Sequence, residues 1–188
     1  MRVLVFDPFH GAAGDMIIGA LLDCGADKNS VIQAMQSVVS EPSVIDVKRA
    51  GIRAVKVTTH ATPAHRTLSE VMERLDSVKA GVPAEALTMA KRVFERINSA
   101  EEQVHGAHIH FHEVGADDAI ADVIGACTAL LSLNVNDVAV LPIALGRGVT
   151  TGLDGIFPIP VPATVEILNR SGLESMLVDE KTELCTPT

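Results

Sequence analysis

Two alternating segments joined by a short turn restrict the fold more than any other feature of this sequence. Residues 44–48 and 53–58 alternate apolar and polar side chains, and Ala50 and Gly51 lie between them. This pattern predicts a β-hairpin, whose strands must run antiparallel because the turn that joins them is short. An all-parallel, doubly wound sheet is therefore the less favoured alternative.

Apolar periodicity places the other elements before and after this hairpin. It predicts strands at residues 2–6, 138–145 and 176–178, and helices at residues 16–24, 27–39, 68–77, 83–102 and 163–169. The proline-rich run 157–162 is predicted to be an extended arm that leads into the last helix. The order of these elements resembles a split βαβ unit. We therefore expect an α+β fold, a split βαβ two-layer sandwich with a mixed sheet and added helices.

Length and hydrophobic content set the number of domains. The chain has 188 residues, of which 47% are hydrophobic, enough to bury the core of a single α+β domain over residues 1–188.

Histidine is concentrated in the segment 105–122, HGAHIHFHEVGADDAIAD, where it occupies four of the first eight positions. If this segment begins as a strand, its side chains alternate between two faces, with His108, His110 and His112 on one and Ile109 and Phe111 on the other. The histidine face is then available to a ligand, and the apolar face to the core.

A helix is predicted directly after this strand. Gly115 ends the strand, Asp117 or Asp118 is expected to cap the helix, and apolar residues follow the 3.6-residue period as far as Leu131. Asp118 and Asp122 then share one helical face, where like charges repel each other. A cation or a donor-rich ligand over the start of the helix suits this arrangement.

Three histidines on one strand face are difficult to explain as part of a core. Burial of so many imidazoles without partners would cost roughly several kcal/mol. A metal or polar-substrate site is therefore favoured over a structural cluster, and a mixed set of imidazole and carboxylate ligands suits zinc, nickel, iron or manganese. The spacing does not select among these metals. The candidate ligands in this segment are His108, His110, His112, Glu113, Asp117, Asp118 and Asp122.

Other segments carry further candidate binding groups. The first strand is followed by the small-residue turn 10–15, HGAAGD, which resembles an anion nest of backbone N–H groups. Taken alone, it is better explained as a tight turn in which Asp15 caps the next helix. Arg147, which lies between two glycines, is placed to meet a carboxylate or a phosphate. His60, His65 and Arg66 are either solvated loop residues or part of the site.

Composition disfavours several classes of function. The net charge is −9 and the chain has no tryptophan or tyrosine, so neither nucleic acid nor an anionic membrane is expected as a partner. The three cysteines form no CxxC pair, which argues against a zinc ribbon or a disulfide framework and favours a cytoplasmic location. The apolar run at the amino terminus is too short for a signal sequence or a membrane span. An extended proline arm and an aliphatic composition predict exposed apolar surface that a partner or a second copy covers, and we expect a homo-oligomer.

Four motifs, distributed in order over the whole chain, match those of a known family. They are FDPFHGAAGDM at residues 6–16, HFHEVGADDAIADVIG at 110–125, FPIPVPAT at 157–164 and ELCTPT at 183–188. Together they resemble the LarC family, the nickel-insertion proteins of nickel-pincer nucleotide cofactor biosynthesis. The resemblance implies CTP-dependent insertion of nickel into pyridinium-3,5-bisthiocarboxylic acid mononucleotide, the reaction of a nickel chelatase in the lyase class.

The resemblance also bears on individual residues. It covers Asp7, Gly11, Gly14 and Asp15 in the first motif, and His110, His112, Glu113, Asp117 and Asp122 in the second. Asp7 and Asp15 thereby join the metal candidates, and the neighbouring His10 is added to them as a possible nitrogen ligand. By their positions in the chain, Gly11, Gly14 and Arg147 are the candidates for the substrate phosphate, and we expect phosphate and metal to be held separately.

Two positions depart from the family pattern. His10 stands where many members have serine, and Asp154 stands where a histidine is expected before Gly155. A carboxylate at position 154 is a harder ligand than an imidazole, which changes the metals that this position favours. His10 would restore a nitrogen ligand if the loop that contains it lies beside the loop that contains Asp154.

A third departure is the length of the chain. In the family, the Thr-Pro-Thr motif is usually followed by a carboxy-terminal half associated with CTP and its divalent metal, whereas this sequence ends at Thr188. We therefore expect an amino-terminal portion that is incomplete without a carboxy-terminal half or subunit. Two alternatives remain, a metal-dependent hydrolase with Asp118 or Asp122 as general base and a non-catalytic nickel-binding chaperone.

Overall fold

Six helices and eight strands form the part of the chain that the computed structural model describes, residues 1–61, 64–78, 81–106, 111, 115–152 and 155–188. The helices are α1 (Gly14–Asp23), α2 (Lys28–Gln36), α3 (Leu68–Asp76), α4 (Ala84–His105), α5 (Asp117–Ser132) and α6 (Pro162–Ser171). The strands are β1 (Val3–Phe6), β2 (Ser43–Arg49), β3 (Ile52–Thr58), β4 (Asp137–Val140), β5 (Ile143–Leu145), β6 (Gly148–Gly152), β7 (Gly155–Ile159) and β8 (Ser175–Leu177).

These elements belong to two structural units. The helical unit comprises Gly14–Glu95 and His110–Asn134, and the strand unit comprises Met1–Ala13, Arg96–Ile109 and Val135–Pro187. The division into two units does not test whether residues 1–188 form a single domain, which stays a prediction.

Helix α5 is the most buried helix of the helical unit and packs against both α1 and α2. The 3.6-residue period correctly predicts its buried apolar positions Ile120, Val123, Ile124 and Cys127. Close packing also requires a glycine, because a Cβ at Gly125 would lie 2.9 Å from Cγ of Met35 and 3.0 Å from Cδ1 of Ile18. The start of α5 is thereby held beside the start of α1.

The predicted hairpin is confirmed as β2 and β3, which pair antiparallel with Arg49 opposite Ile52. Ala50 and Gly51 both have positive φ, +48° and +83°, as a two-residue type I′ turn requires. Helix α1 packs on β3 in the same unit. The hairpin therefore adds a small antiparallel sheet to the helices.

Capping residues define the start of α3, as the sequence predicts for residues 68–77. Thr67 accepts a hydrogen bond from the backbone N–H of Glu70, and the Glu70 side chain accepts one from the N–H of Thr67. This reciprocal pair is a capping box, which satisfies two amides that the helix leaves without partners. Helix α4 follows and extends three residues beyond its predicted end at residue 102.

The core of the strand unit joins the first and last sequence motifs. Ile143, Leu145 and Cys185 form a buried cluster. The N–H of Ala12 donates to the carbonyl of Leu184 over 2.9 Å, and the N–H of Thr186 donates to the carbonyl of Ala12 over 3.1 Å. Residues 12 and 185 are thus paired as a short parallel bridge, although they are far apart in the sequence.

Two predictions in the strand unit differ from the structure. The single strand expected over residues 138–145 is divided into β4 and β5 at Leu141 and Pro142, where proline supplies no backbone donor. The proline arm is in part the strand β7, which pairs with β6 and places Pro158 opposite Val149. An edge strand tolerates proline because one of its sides needs no N–H donor.

The predicted α+β class with mixed pairing is confirmed. Within the described chain β1–β4 and β5–β8 are parallel pairs, whereas β2–β3 and β6–β7 are antiparallel. None of the described helices has the length and apolar character that a membrane span requires.

The three cysteines should differ in reactivity. Cys24 is exposed, whereas Cys127 and Cys185 are buried. Burial raises the pKa of the Cys127 thiol to about 11 and also raises the pKa of Cys185. Because the thiolate is the reactive form, we expect iodoacetamide at pH 8 to modify Cys24 first in the folded protein. Peptide mapping by mass spectrometry measures this order.

Cys24→Ala is the matched control, and it should remove the fast reaction while all remaining thiols react after unfolding. Rapid alkylation of Cys127 in the folded chain would contradict the burial of α5.

Candidate functional site

The predicted histidine face, which consists of His108, His110 and His112, lies outside the described residues, as does Glu113. Phe111 is described, and it is buried with 2% of its surface exposed. Its burial agrees with the prediction that the apolar side chains of this segment face the core. The described part of the candidate site consists of Phe111 and residues 115–122.

Arg66 contacts both of these described parts. Its backbone N–H donates to the carbonyl of Phe111 over 3.1 Å, and the N–H of Phe111 donates back over 2.8 Å. The guanidinium donates to the carbonyl of Gly115. Gly115 is needed at this position, because a Cβ there would lie 2.9 Å from Cβ of Phe111. A single arginine thus fixes the chain immediately before and after residues 112–114.

Asp117 is held by two arginines. Its Oδ1 lies 3.1 Å from Nη2 of Arg66 and 3.4 Å from Nε of Arg74. Arg74 also donates from Nη2 to the carbonyl of Val38 over 2.9 Å. All three charged side chains are partly shielded from solvent, which strengthens their attraction relative to a fully exposed pair. The Asp117 carboxylate is therefore occupied by contacts within the helical unit.

The prediction that Asp117 or Asp118 caps α5 is wrong. The cap residue is Ala116, and no side chain accepts a hydrogen bond there. Asp117 pairs with the two arginines, and Oδ1 of Asp118 accepts the N–H of Ala119 over 2.9 Å. Both carboxylates are still in the first turn, where the positive end of the helix dipole stabilises them.

Asp122 is the most perturbed acid of the site. Its Oδ1 is buried and has no hydrogen-bond partner among the described atoms. Burial, followed by the charges of Asp15 and Asp118, raises the pKa of its carboxyl to about 7. The predicted shared face of Asp118 and Asp122 is thus confirmed, and Asp15 at the start of α1 belongs to the same group of acids.

Position 14 has no room for a side chain, because Asp122 lies against it. A Cβ at position 14 would lie 2.8 Å from Cβ of Asp122 and 3.1 Å from its Oδ2. Any larger residue would displace the Asp122 side chain or move the two helices apart. Asp15 is exposed, and its Oδ1 accepts the N–H of Met16 over 2.8 Å.

The rest of the first motif belongs to the strand unit. Asp7 and His10 are exposed, and the His10 ring lies 6.1 Å from the ring of Phe9. Gly11 has a φ of +90°, and a Cβ there would lie 1.9 Å from the carbonyl oxygen of Leu184. The N–H of Gly11 donates to the carbonyl of Pro8 over 3.0 Å. Gly11 is therefore required for chain packing, whatever else it contacts.

Arg147 is largely exposed in the strand unit. Its guanidinium forms an ion pair with Asp179, and its backbone N–H donates to the carbonyl of Glu180 over 2.8 Å. Asp179 occupies only part of the guanidinium, which has five N–H donors. The role of Arg147 toward a phosphate stays a prediction.

The described residues alone do not complete a metal site. No three His, Cys, Asp or Glu side chains among them lie close enough together to hold a metal ion. What they provide is a half-buried acidic group at the start of α1 and α5, which attracts cations. The assignments of all ten predicted metal ligands stay predictions.

Arg66 and Arg74 link Asp117 to the rest of the helical unit. The sequence suggests a possible role for Arg66 but none for Arg74. For Arg66 the sequence allows a solvated loop residue or a part of the site, and in the structure it contacts Gly115 and Asp117. Arg74 was not predicted, because its partner is 43 positions away and no local pattern pairs the two.

A family model described as nickel insertion protein matches residues 4–188. The chain belongs to the nickel insertion protein family. This confirms the resemblance seen in the four motifs. No solved structure matches the chain.

Curated relatives are similar over the full length of this chain. A putative nickel insertion protein of Methanococcoides burtonii is 44% identical over 193 residues, covering 100% of this chain and 48% of the relative. That of Methanosarcina barkeri is 39% identical over 194 residues, with 100% and 49% covered. The pyridinium-3,5-bisthiocarboxylic acid mononucleotide nickel insertion protein of Desulfitobacterium hafniense DCB-2 is 34% identical over 196 residues, with 100% and 48% covered. The chain spans about half the length of these relatives.

Neutralising Asp122 should stabilise the metal-free protein at high pH. The pKa of Asp122 is raised from 3.8 to about 7, so the fold disfavours its ionised form. Ionised Asp122 therefore lowers the free energy of unfolding. This loss of stability is absent below the pKa of the unfolded chain, grows as pH rises toward the pKa of the folded chain, and is complete above it. We expect Asp122→Asn to gain on the order of a few kcal/mol at pH 8 and progressively less toward pH 5. Urea unfolding in a chelator measures the difference.

Glu174→Gln, at an exposed position, is the control for a change of net charge alone. A gain from Asp122→Asn that is equal at pH 5 and pH 8 would contradict the raised pKa.

Proposed function

We propose that this chain is the amino-terminal part of a nickel chelatase of the lyase class. The reaction is insertion of nickel into pyridinium-3,5-bisthiocarboxylic acid mononucleotide, in a CTP-dependent cyclometallation that forms the nickel-pincer nucleotide cofactor. Nickel is a substrate in this reaction. The observation that carries the proposal is the family match over residues 4–188.

The arrangement around α5 supports a nickel site at the histidine motif. Arg66 holds Phe111 and Gly115, and it pairs with Asp117 in the first turn of α5, the helix that carries Asp118 and Asp122. Imidazole nitrogens from His108, His110 and His112 suit nickel, a metal of intermediate softness. The acids and Glu113 add negative charge that compensates the cation. Asp7, His10, Asp15 and Asp117 remain candidate ligands from the sequence, and Asp117 is the least available of them because two arginines hold it.

A nucleotide substrate also needs groups that recognise its phosphate. In the helical unit, the candidates for this role are the amides at the start of α1, from Gly14 onward. In the strand unit, the candidate is the forked guanidinium of Arg147. The N–H of Gly11 already donates to the carbonyl of Pro8, so in this proposal Gly11 contributes only by allowing the turn.

The proposed enzyme has a second part. Because the chain spans about half of its relatives, we assign CTP and its divalent metal to a carboxy-terminal half, in the same polypeptide or as a subunit. Residues 1–188 then act as one functional domain, within a homo-oligomer. Three free cysteines suit a reducing compartment, and we place the reaction in the cytoplasm.

Nickel binding tests the metal site directly. The purified chain should bind nickel, and His110→Ala combined with His112→Ala should weaken that binding about tenfold or more. Affinity should rise from pH 6 to pH 8, because protons compete with nickel for imidazole nitrogens and for the Asp122 carboxylate, whose pKa is raised to about 7. Isothermal titration calorimetry at both pH values provides the measurement.

His105→Ala is the matched control, since His105 belongs to the same histidine-rich segment but pairs with Glu101 outside the proposed ligand set. Equal nickel affinity in the parent and the double variant, with both chains folded, would remove the histidine motif from the site.

Reconstitution tests the reaction. The chain, nickel, the bisthiocarboxylate nucleotide and CTP with its divalent metal should give the nickel-pincer nucleotide only when the remaining half of the Methanococcoides burtonii relative is added. Mass spectrometry detects the product by its nickel isotope pattern. Nickel binding without product would favour the chaperone alternative, and metal-dependent cleavage of a model ester would favour the hydrolase. Either result contradicts the proposed insertion.

A further inference from the structure

Strand β2 has an open edge in the helical unit. Its backbone pairs with β3 on one side, and among the described residues no strand pairs with its other side. Arg49 and Ile52 flank the type I′ turn and therefore form a hydrogen-bonded pair, from which the pairing alternates along the ladder. Val44, Asp46 and Lys48 must then direct their backbone N–H and C=O groups outward. The carbonyl of Val44 agrees, since it accepts from Nζ of Lys28 over 3.5 Å.

The opposite edge of the same hairpin is covered. The alternation that directs Asp46 outward on β2 does the same for Val55, its partner on β3. Helix α1 lies over that edge, where a Cβ at Gly19 would come within 2.4 Å of the Val55 carbonyl oxygen. Covering an edge with a helix is one way in which proteins prevent unwanted strand pairing. Within the part of the chain that the structure describes, a helix covers the edge of β3 and no helix is seen to cover the edge of β2 in this way.

The sequence of β2 is complementary to itself in one antiparallel register. Two copies related by a two-fold axis through Val47 place Asp46 of each copy opposite Lys48 of the other. Both residues direct their backbone groups outward, so these pairs can form hydrogen bonds as well as ion pairs. Asp46 and Lys48 are exposed, and neither has an ion pair among the described residues. An axis through Asp46 would instead oppose two aspartates, which disfavours that register.

The other face of the paired strands is also compatible. Val47 would meet Val47 of the second copy, and Ile45, which is 53% exposed, would lie beside the aliphatic stem of Arg49. Lysine on an edge strand usually discourages pairing, but in this register each Lys48 has a carboxylate opposite it.

From this geometry we infer that the β2 edge is a homodimer interface, in which two hairpins join into a four-stranded antiparallel sheet. The occupant of the edge is a second copy of this chain, and the Asp46–Lys48 pairs select the register. The inference does not depend on nickel or on the proposed reaction.

Charge reversal tests this interface. Asp46→Lys places like charges opposite each other, as does Lys48→Asp, so each should raise the dimer dissociation constant about tenfold or more. The double variant Asp46→Lys with Lys48→Asp restores opposite charges and should dimerise within about threefold of the parent. Sedimentation equilibrium of the full chain at micromolar concentrations measures each constant. Circular dichroism verifies that the variants fold.

Mixing the two single variants gives the sharpest readout. Asp46→Lys presents only lysines and Lys48→Asp only aspartates, so the mixture should form a heterodimer that neither forms alone. A monomeric parent would overturn the inference. A dimeric parent whose variants associate equally well would overturn it too, because the interface would then lie elsewhere.

Discussion

The ion pairs of Asp117 with Arg66 and Arg74 are the interaction that holds the described part of the candidate site in place. It joins the loop before α3, the helix α3 itself and the first turn of α5. Loss of the carboxylate would leave two partly buried guanidinium groups without a counter-charge, which costs more than the pair itself contributes. Arg66 also holds Phe111 and Gly115, so the same side chain ties the loop before α3 to the residues that lead into α5.

Asp122 has the opposite effect on stability. A carboxyl with a buried oxygen that lacks a donor, placed beside two other acids, opposes folding near neutral pH. The packing of α5 does not require an acid there, as its neighbours Ala121 and Val123 are buried apolar residues. A group that disfavours the fold and has a strongly shifted pKa is typical of a functional site. A bound cation would offset the repulsion, which fits the proposed role.

Local chemistry explains which predictions succeeded. The β2–β3 hairpin and the buried face of α5 follow from turn residues and periodicity within a few positions, and both are confirmed. The cap of α5 was predicted wrongly because Asp117 has stronger partners that are distant in sequence. The prolines of residues 157–162 correctly exclude a central strand, but the pairing of β7 with β6 is not predicted, because no local pattern in the arm identifies its partner. Arg74 carries no local signal at all, and the family motifs, which are local, do not include it.

The contact between Gly14 and Asp122 bears on how the two proposed subsites interact. The sequence suggested that a glycine turn holds phosphate while the histidine segment holds metal, each independent of the other. In the helical unit, however, Gly14 stands against the side chain of Asp122, with 2.8 Å between its added Cβ and that of the acid. A ligand that shifts the start of α1 would therefore change the surroundings of Asp122, and with them its charge. If both assignments hold, substrate and nickel binding are coupled through this contact, and the coupling must be reciprocal because it is an equilibrium property.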